Sequence, residues 1–162
     1  QAAQITLSQA FPMPDNGWIW TLEQRIASDT GEGREVVSRI LAALAAADWA
    51  EHDIFAVHLA MEEALVNAIK HGNHRDPSKT VEVTCRISKD RVQVQVTDEG
   101  AGFDPALVPD PTDEENLEIP SGRGLMLMRC YMTSVRFNAR GNQVSMEKLR
   151  TPPNGNGKAT DE

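Results

Sequence analysis

The chain has 162 residues, 40% hydrophobic and 25% charged, which suits one domain with a buried core and does not suit a disordered polypeptide. Its 24 acidic and 16 basic residues give a formal net charge of -8. That excludes the basic surface on which non-specific nucleic-acid binding depends. No apolar run approaches the roughly 20 residues that span a bilayer, and no secretory-signal pattern is visible.

Residues 1–18 contain two prolines and no sustained period, and are expected to form an appended arm. Residues 20–27 (WTLEQRIA) alternate Trp20, Leu22 and Ile26 with polar positions, as a half-buried strand does. Val36, Val37, Ile40, Leu41 and Leu44 recur at helical spacing over 33–47. A second helix is expected from about Glu51 to His71, with Gly72-Asn73 as its stop. VEVTCRI (81–87) and RVQVQVTD (91–98) read as a hairpin, with Val92, Val94 and Val96 on one face.

A long irregular stretch runs from Gly100 to Gly124, followed by a short helix over 124–133. VRFNA (135–139) and QVSMEKL (143–149) form a closing hairpin around Arg140-Gly141-Asn142, and 151–162 has the composition of a disordered tail. The order predicts an α+β fold over 19–150. It is a two-layer sandwich of a mixed, largely antiparallel sheet with helices packed on one face. Cys85 and Cys130 have no metal-ligand spacing and are both expected to be buried thiols, which points to a reducing cytoplasm as the expected compartment.

Three stretches carry chemistry. At 100° per residue, Ile54, Val57, Met61, Ala64, Leu65 and Ala68 share the sheet-facing side of the second helix. Glu63, Asn67 and Lys70 fall opposite, beside Ala56 and Ala60, whose small size would leave room for a ligand. Asn is a poor helix former, yet this helix taken alone also fits a plain solvated face. In TDEGAGFDP (97–105), Asp98 ends a strand, and Gly100 and Gly102 allow close backbone approach to a flat ligand. The same pattern is ordinary turn chemistry. In PSGRGLMLMRCYM (120–132), Gly122 and Gly124 open a helix whose free amides favour an anion, with Arg123 between them. A glycine-rich loop entering a helix fits equally. The intervening loop, with four prolines and six acidic residues from Phe103 to Gly122, has a lid-like length.

Taken in order, Glu-x-x-x-Asn, Asp-x-Gly-x-Gly and Gly-x-Gly resemble the ATP-binding fold shared by gyrase B, the Hsp90 chaperone, histidine kinases and MutL. The closer resemblance is to anti-sigma factors of the serine/threonine kinase type, the switch kinases of partner-switching systems. EEALVNAIKHGN is similar to their N-box, TDEGAGFDP to their first glycine box, and PSGRGLMLMRCYMTSV to their second. The resemblance implies that Asn67 holds Mg²⁺ on ATP phosphates and that Glu63 is the general base. It implies that Asp98 accepts from the adenine amine, with Gly100 and Gly102 shaping that pocket. Ser121, Gly122, Arg123, Gly124 and Leu125 would meet the phosphates, 105–121 would be the ATP lid, and Lys70 and His71 would lie near the nucleotide. The chain has Pro120 where some relatives carry a basic residue.

The implied function is phosphorylation of a STAS-domain anti-anti-sigma protein and sequestration of a sigma factor, with a homodimer implied by resemblance alone. One alternative is an ATP-binding regulator without kinase activity. Another is a histidine kinase catalytic domain, which would need a preceding helical hairpin bearing a phosphoacceptor; His52, His58, His71 and His74 all lie in or beside the N-box helix.

Overall fold

A five-stranded sheet in the order β1-β2-β3-β5-β4 organises the chain, and every neighbouring pair is antiparallel. The computed structural model describes residues 4–12, 17–104, 106 and 122–153. The expected lid (Ala106 apart), Pro120, Ser121 and the tail beyond residue 153 lie outside them. The elements are α1 (Leu7–Ala10), β1 (Trp20–Ala27), α2 (Thr30–Ala46), α3 (Glu51–Val66), a π turn (Asn67–Gly72), β2 (Thr80–Ile87), β3 (Arg91–Thr97), α4 (Gly122–Tyr131), β4 (Ser134–Phe137) and β5 (Gln143–Leu149). The architecture is the expected α+β one, with the sheet antiparallel throughout.

Strand alternation builds one side of the core. Val81, Val83, Cys85 and Ile87 of β2, Val92, Val94 and Val96 of β3, and Val144 and Met146 of β5 are buried on one face. The register pairs Val83 with Val96 and Val96 with Val144, so β-branched side chains stack across strands. From the helices, Val36, Ile40 and Leu44 of α2, Val57, Met61 and Leu65 of α3, and Leu125, Met128 and Met132 in or just after α4 complete the cluster. Helix α2 starts where Asp29 accepts the Gly31 amide at 2.6 Å.

The other face of the sheet is polar yet also largely closed. Gln93 donates to Glu147 (2.7 Å), Gln95 to the Ser145 hydroxyl (2.9 Å), and Gln143 to the Thr97 hydroxyl (3.0 Å). The N-terminal segment lies over this face. The Ile5 amide donates to Gln143, the Ile5 carbonyl accepts from Gln95, and Leu7, Ala10 and Phe11 form their own small buried cluster.

At the far end of the sheet, Arg150 donates to the carbonyls of Ala47, Asp48 and Lys89 and stacks on Trp49. Thr151, which composition placed in the tail, donates through its amide (3.0 Å) and hydroxyl (2.7 Å) to Asp53 in the first turn of α3. Cys85 is buried as expected, whereas Cys130 is exposed. Leu125, Met128 and Met132 take the core-facing side of this segment, and at 100° per residue Cys130 falls opposite them, so lying within a helix was not enough to bury it. Among the described residues no helix is long and apolar enough to cross a membrane.

Candidate functional site

The expected single helix over 51–71 is two pieces. It is α-helical to Val66 and then widens at Asn67, where the Asn73 amide donates to the Ala68 carbonyl, five residues back, at 2.8 Å. One-turn π segments of this kind are frequent at functional sites. Asn67 stands at the change of register, half-buried, and its Nδ2 is enclosed with no hydrogen-bond partner among the described residues. A buried amide atom without a partner costs on the order of 1–3 kcal/mol, so its retention points to a ligand. Nitrogen and oxygen of that amide are interchangeable in assignment, so the same position can present an acceptor.

Asn67, His71, Asp98, Gly102, Phe103 and Met128 line one cavity between the π turn, the end of β3 and α4. Its volume is about 90 Å³, below the roughly 300–1,000 Å³ of ligand pockets in general. Ala101, Gly102 and Phe103 line one side of it, and Arg140 Nε donates to the Ala101 carbonyl at 3.4 Å.

Asp98 is buried at the floor of this cavity. Its Oδ1 accepts the Gly100 amide at 2.8 Å, and its main chain exchanges two 2.9 Å bonds with Asn142. Burial pushes its carboxyl up to about 6, against the opposing pull of the Gly100 amide, Arg140 and Lys79. A carboxylate desolvated in a cleft marks a candidate site on physical grounds. Gly72 lies so close to this carboxylate that a Cβ there would collide with it, and Gly100 is pressed on the Gly72 carbonyl in the same way. At Gly102 and Gly141 the backbone is left-handed (φ +80 and +78), and each residue abuts the other's loop, at Arg140 and Phe103 respectively. Only residues without a Cβ allow that crossing.

Glu63 is on the α4 side of α3. A Cβ on Gly124 would sit 2.8 Å from Glu63 Oε2 and 3.8 Å from Asn67 Nδ2, so the start of α4 is packed directly against this pair. This corrects the expectation about the alanines. Ala56 and Ala60 are buried, and the room beside them is filled by α4, which also brings Tyr131 edge-on to Phe55. The free space lies one turn further on, at Asn67 and His71.

Of the other expected site residues, Lys70 and Arg123 are exposed, Lys70 does not line the cavity, and Leu125 is buried in the core. Gly122 and Gly124 form the first turn of α4. Sequence reasoning missed Gly72, Asn73, Arg140, Gly141 and Asn142, which frame Asp98. The only signal for them was the Gly-Asn pairs at 72–73 and 141–142, read as helix stop and hairpin loop.

Among the described residues no cluster of His, Cys, Asp and Glu could hold a metal ion by itself. Mg²⁺ carried on phosphates keeps its waters and needs only one or two protein oxygens. Asn67 and Glu63, adjacent on the helix and both facing Gly124, are donors of that kind.

Comparison with known proteins agrees with this geometry. A model of the histidine kinase-like ATPase domain matches residues 26–148. The anti-sigma F factor of Clostridium perfringens (strain SM101) is 31% identical over 129 residues, which cover 76% of this chain and 91% of that protein. The serine-protein kinase RsbW of Bacillus subtilis is 33% identical over 99 residues, 56% of this chain and 61% of that one. In fold, the chain resembles the crystal structure of the RsbU and RsbW domains of Rv1364c from Mycobacterium tuberculosis. The TM-score is 0.55 at 18% identity, over 82% of this chain and 33% of the other. The chain belongs to the histidine kinase-like ATPase domain family, among its anti-sigma factors and serine/threonine-protein kinases.

Proposed function

We propose that the protein uses Mg·ATP to phosphorylate a serine or threonine of a STAS-domain anti-anti-sigma protein, and that it sequesters a sigma factor until the unphosphorylated antagonist displaces it. A homodimer and a cytoplasmic location belong to the same reading. The observation that carries it is Asn67. A half-buried amide with a partnerless Nδ2 opens on the cavity that ends at Asp98, with Glu63 beside it and the start of α4 against both.

In this reading Asp98 accepts from the exocyclic amine of adenine, with Gly100 and Gly102 shaping the pocket around the base. His71 lies on the same wall as Asn67. The amides at the start of α4, with Gly122, Arg123 and Gly124, face the phosphates, since the first N–H groups of a helix have no intrahelical acceptor. Lys70 is exposed near this end, and the family resemblance assigns Ser121 to the phosphates with these glycines. Magnesium, bound through Asn67, would neutralise phosphate charge. Glu63 orients the attacking hydroxyl and accepts its proton. Phosphoryl transfer asks the protein mainly for such positioning and charge complementarity.

The test is transfer of label from γ-labelled ATP to a cognate STAS-domain protein by the full chain and by Glu63→Ala. The expected result is transfer by the parent and loss of at least about a hundredfold in the variant. Undiminished transfer by Glu63→Ala would remove Glu63 from the base role. Tight Mg·ATP binding with no transfer from the parent to any antagonist would favour a regulator that acts by binding alone.

A further inference from the structure

Asn73 does more than end a helix. It is fully buried, and its side chain reaches three other elements. Nδ2 donates to the Ser28 hydroxyl at the end of β1 (3.0 Å) and to the Thr80 carbonyl at the start of β2 (2.9 Å). Oδ1 accepts the Glu99 amide, in the turn after β3, at 2.8 Å. Both Nδ2 hydrogens and Oδ1 are engaged, which a helix stop does not require.

The Glu99 amide belongs to the peptide that carries the Asp98 carbonyl, and that carbonyl accepts from Asn142 on the opposite side at 2.9 Å. Glu99 is tied down a second time through its side chain, which accepts the Thr80 amide at 2.6 Å. The main chain of Asp98 is therefore clamped from two sides by buried asparagines. The Gly100 amide holds Oδ1 at 2.8 Å, and Gly72 closes the remaining space around the carboxylate. What such a clamp fixes is the direction of Oδ2, the oxygen left for a donor on a ligand.

We propose that Asn73 is a positioning residue for base selectivity: it holds the Asp98 turn so that the carboxylate meets an amine at one place on the purine ring. This rests on the nucleotide reading of the Asp98 cavity. Asn73 does not touch the ligand. It acts through the Glu99 peptide, and Ser28 acts one step further back by holding Nδ2. Loss of the clamp leaves the phosphate end of the site, at Asn67 and the start of α4, as it was. The loss therefore falls on the choice between bases rather than on nucleotide affinity as a whole.

The experiment compares ATP with inosine triphosphate, which has the same phosphates and sugar but a carbonyl in place of the amine. Dissociation constants for both, with Mg²⁺ in excess, are measured by calorimetry on the full chain, on Asn73→Ala and on Ser28→Ala. Thermal melts report whether each variant is folded. The parent is expected to prefer ATP by on the order of tenfold or more, the size of one hydrogen bond to a charged acceptor. In Asn73→Ala the preference is expected to fall to within about threefold of unity, with inosine triphosphate binding changed far less than ATP binding.

A folded Asn73→Ala that keeps the parent's preference, whether both affinities fall together or neither does, overturns the inference while leaving the nucleotide reading intact. A parent that does not distinguish the two nucleotides overturns the adenine role of Asp98 and this inference with it. Should Asn73→Ala not fold, Ser28→Ala decides. A two- to threefold fall in preference, on the order of one weakened neutral hydrogen bond, supports the clamp. An unchanged preference overturns it.

Discussion

Replacing Asp98 with asparagine separates the demands of folding from those of binding. The carboxyl sits at about 6 in the folded protein against an ordinary value of 3.8, because burial outweighs the Gly100 amide, Arg140 and Lys79. A group with a raised folded-state value binds its proton more tightly when folded, so the parent's stability falls as pH rises from about 4 to about 6. The difference of about two pH units corresponds to at most about 3 kcal/mol of destabilisation at pH 7, at 1.36 kcal/mol per unit. Asp98 keeps a little solvent contact and lies near two cations, so the working expectation is about 1–2 kcal/mol. Asparagine keeps an oxygen for the Gly100 amide and carries no charge to desolvate. Asp98→Asn should therefore be more stable than the parent by that amount at pH 7, a rise of a few degrees in Tm.

The assay is urea denaturation of the nucleotide-free protein, followed by circular dichroism at intervals from pH 4 to pH 8. The gain should shrink towards zero below about pH 4, where the parent's carboxyl is protonated in both folded and unfolded chains. The same variant should bind ATP at least about tenfold more weakly, since an amide nitrogen replaces one of the two acceptor oxygens. A stability difference that is constant across the pH range, or a variant less stable at pH 7, would refute the desolvation argument.

Two further predictions rest on other contacts. Gly124→Ala places a methyl 2.8 Å from Glu63 Oε2. Because that atom ends a flexible side chain, stability should change by less than about 1 kcal/mol, with the helix gain from alanine as offset. Phosphotransfer should fall at least about tenfold with ATP affinity within threefold, read by titration and label transfer, because Glu63 is displaced from its place. At Asp53, burial alone would raise the carboxyl, but the Thr151 hydroxyl and amide, Lys148 and His52 outweigh it and hold it below its ordinary value. That contribution is present above about pH 4 and is lost as pH falls through the depressed value. Thr151→Ala should accordingly cost about 1–2 kcal/mol in urea denaturation at pH 7 and progressively less in acid.

The strands and the core were legible because valine alternation in β2, β3 and β5 has one solution: the apolar set faces the helices. Alternation is silent about the opposite face. Gln93 and Gln95 lie on that face and are buried, because the N-terminal segment and the side chains of β5 close over them. The alanines beside Glu63 show the same limit. A projection of one helix identifies small residues on a face but does not say whether a ligand or another helix occupies the space, and here α4 does.

The remaining differences at the site have one cause. At a steady 100° per residue, Lys70 stands about 20° from Glu63 and Asn73 about 120° from Met61, so Lys70 belongs to the site and Asn73 to the surface. The π turn starting at Asn67 advances only about 80° per residue, because its hydrogen-bonded ring is one residue larger. Counted from Asn67, that slower advance rotates Lys70 to about 80° from Glu63, brings His71 from about 80° away to near Glu63's direction, and swings Asn73 back to within about 15° of Met61, into the core. Those are the observed places: Lys70 exposed, His71 on the cavity wall, Asn73 without solvent contact. The turn that begins at Asn67 therefore matters at both ends of the cavity. Asn67 lines the cavity itself, and the re-phased chain brings a second asparagine, six residues on, to the Glu99 amide just behind Asp98.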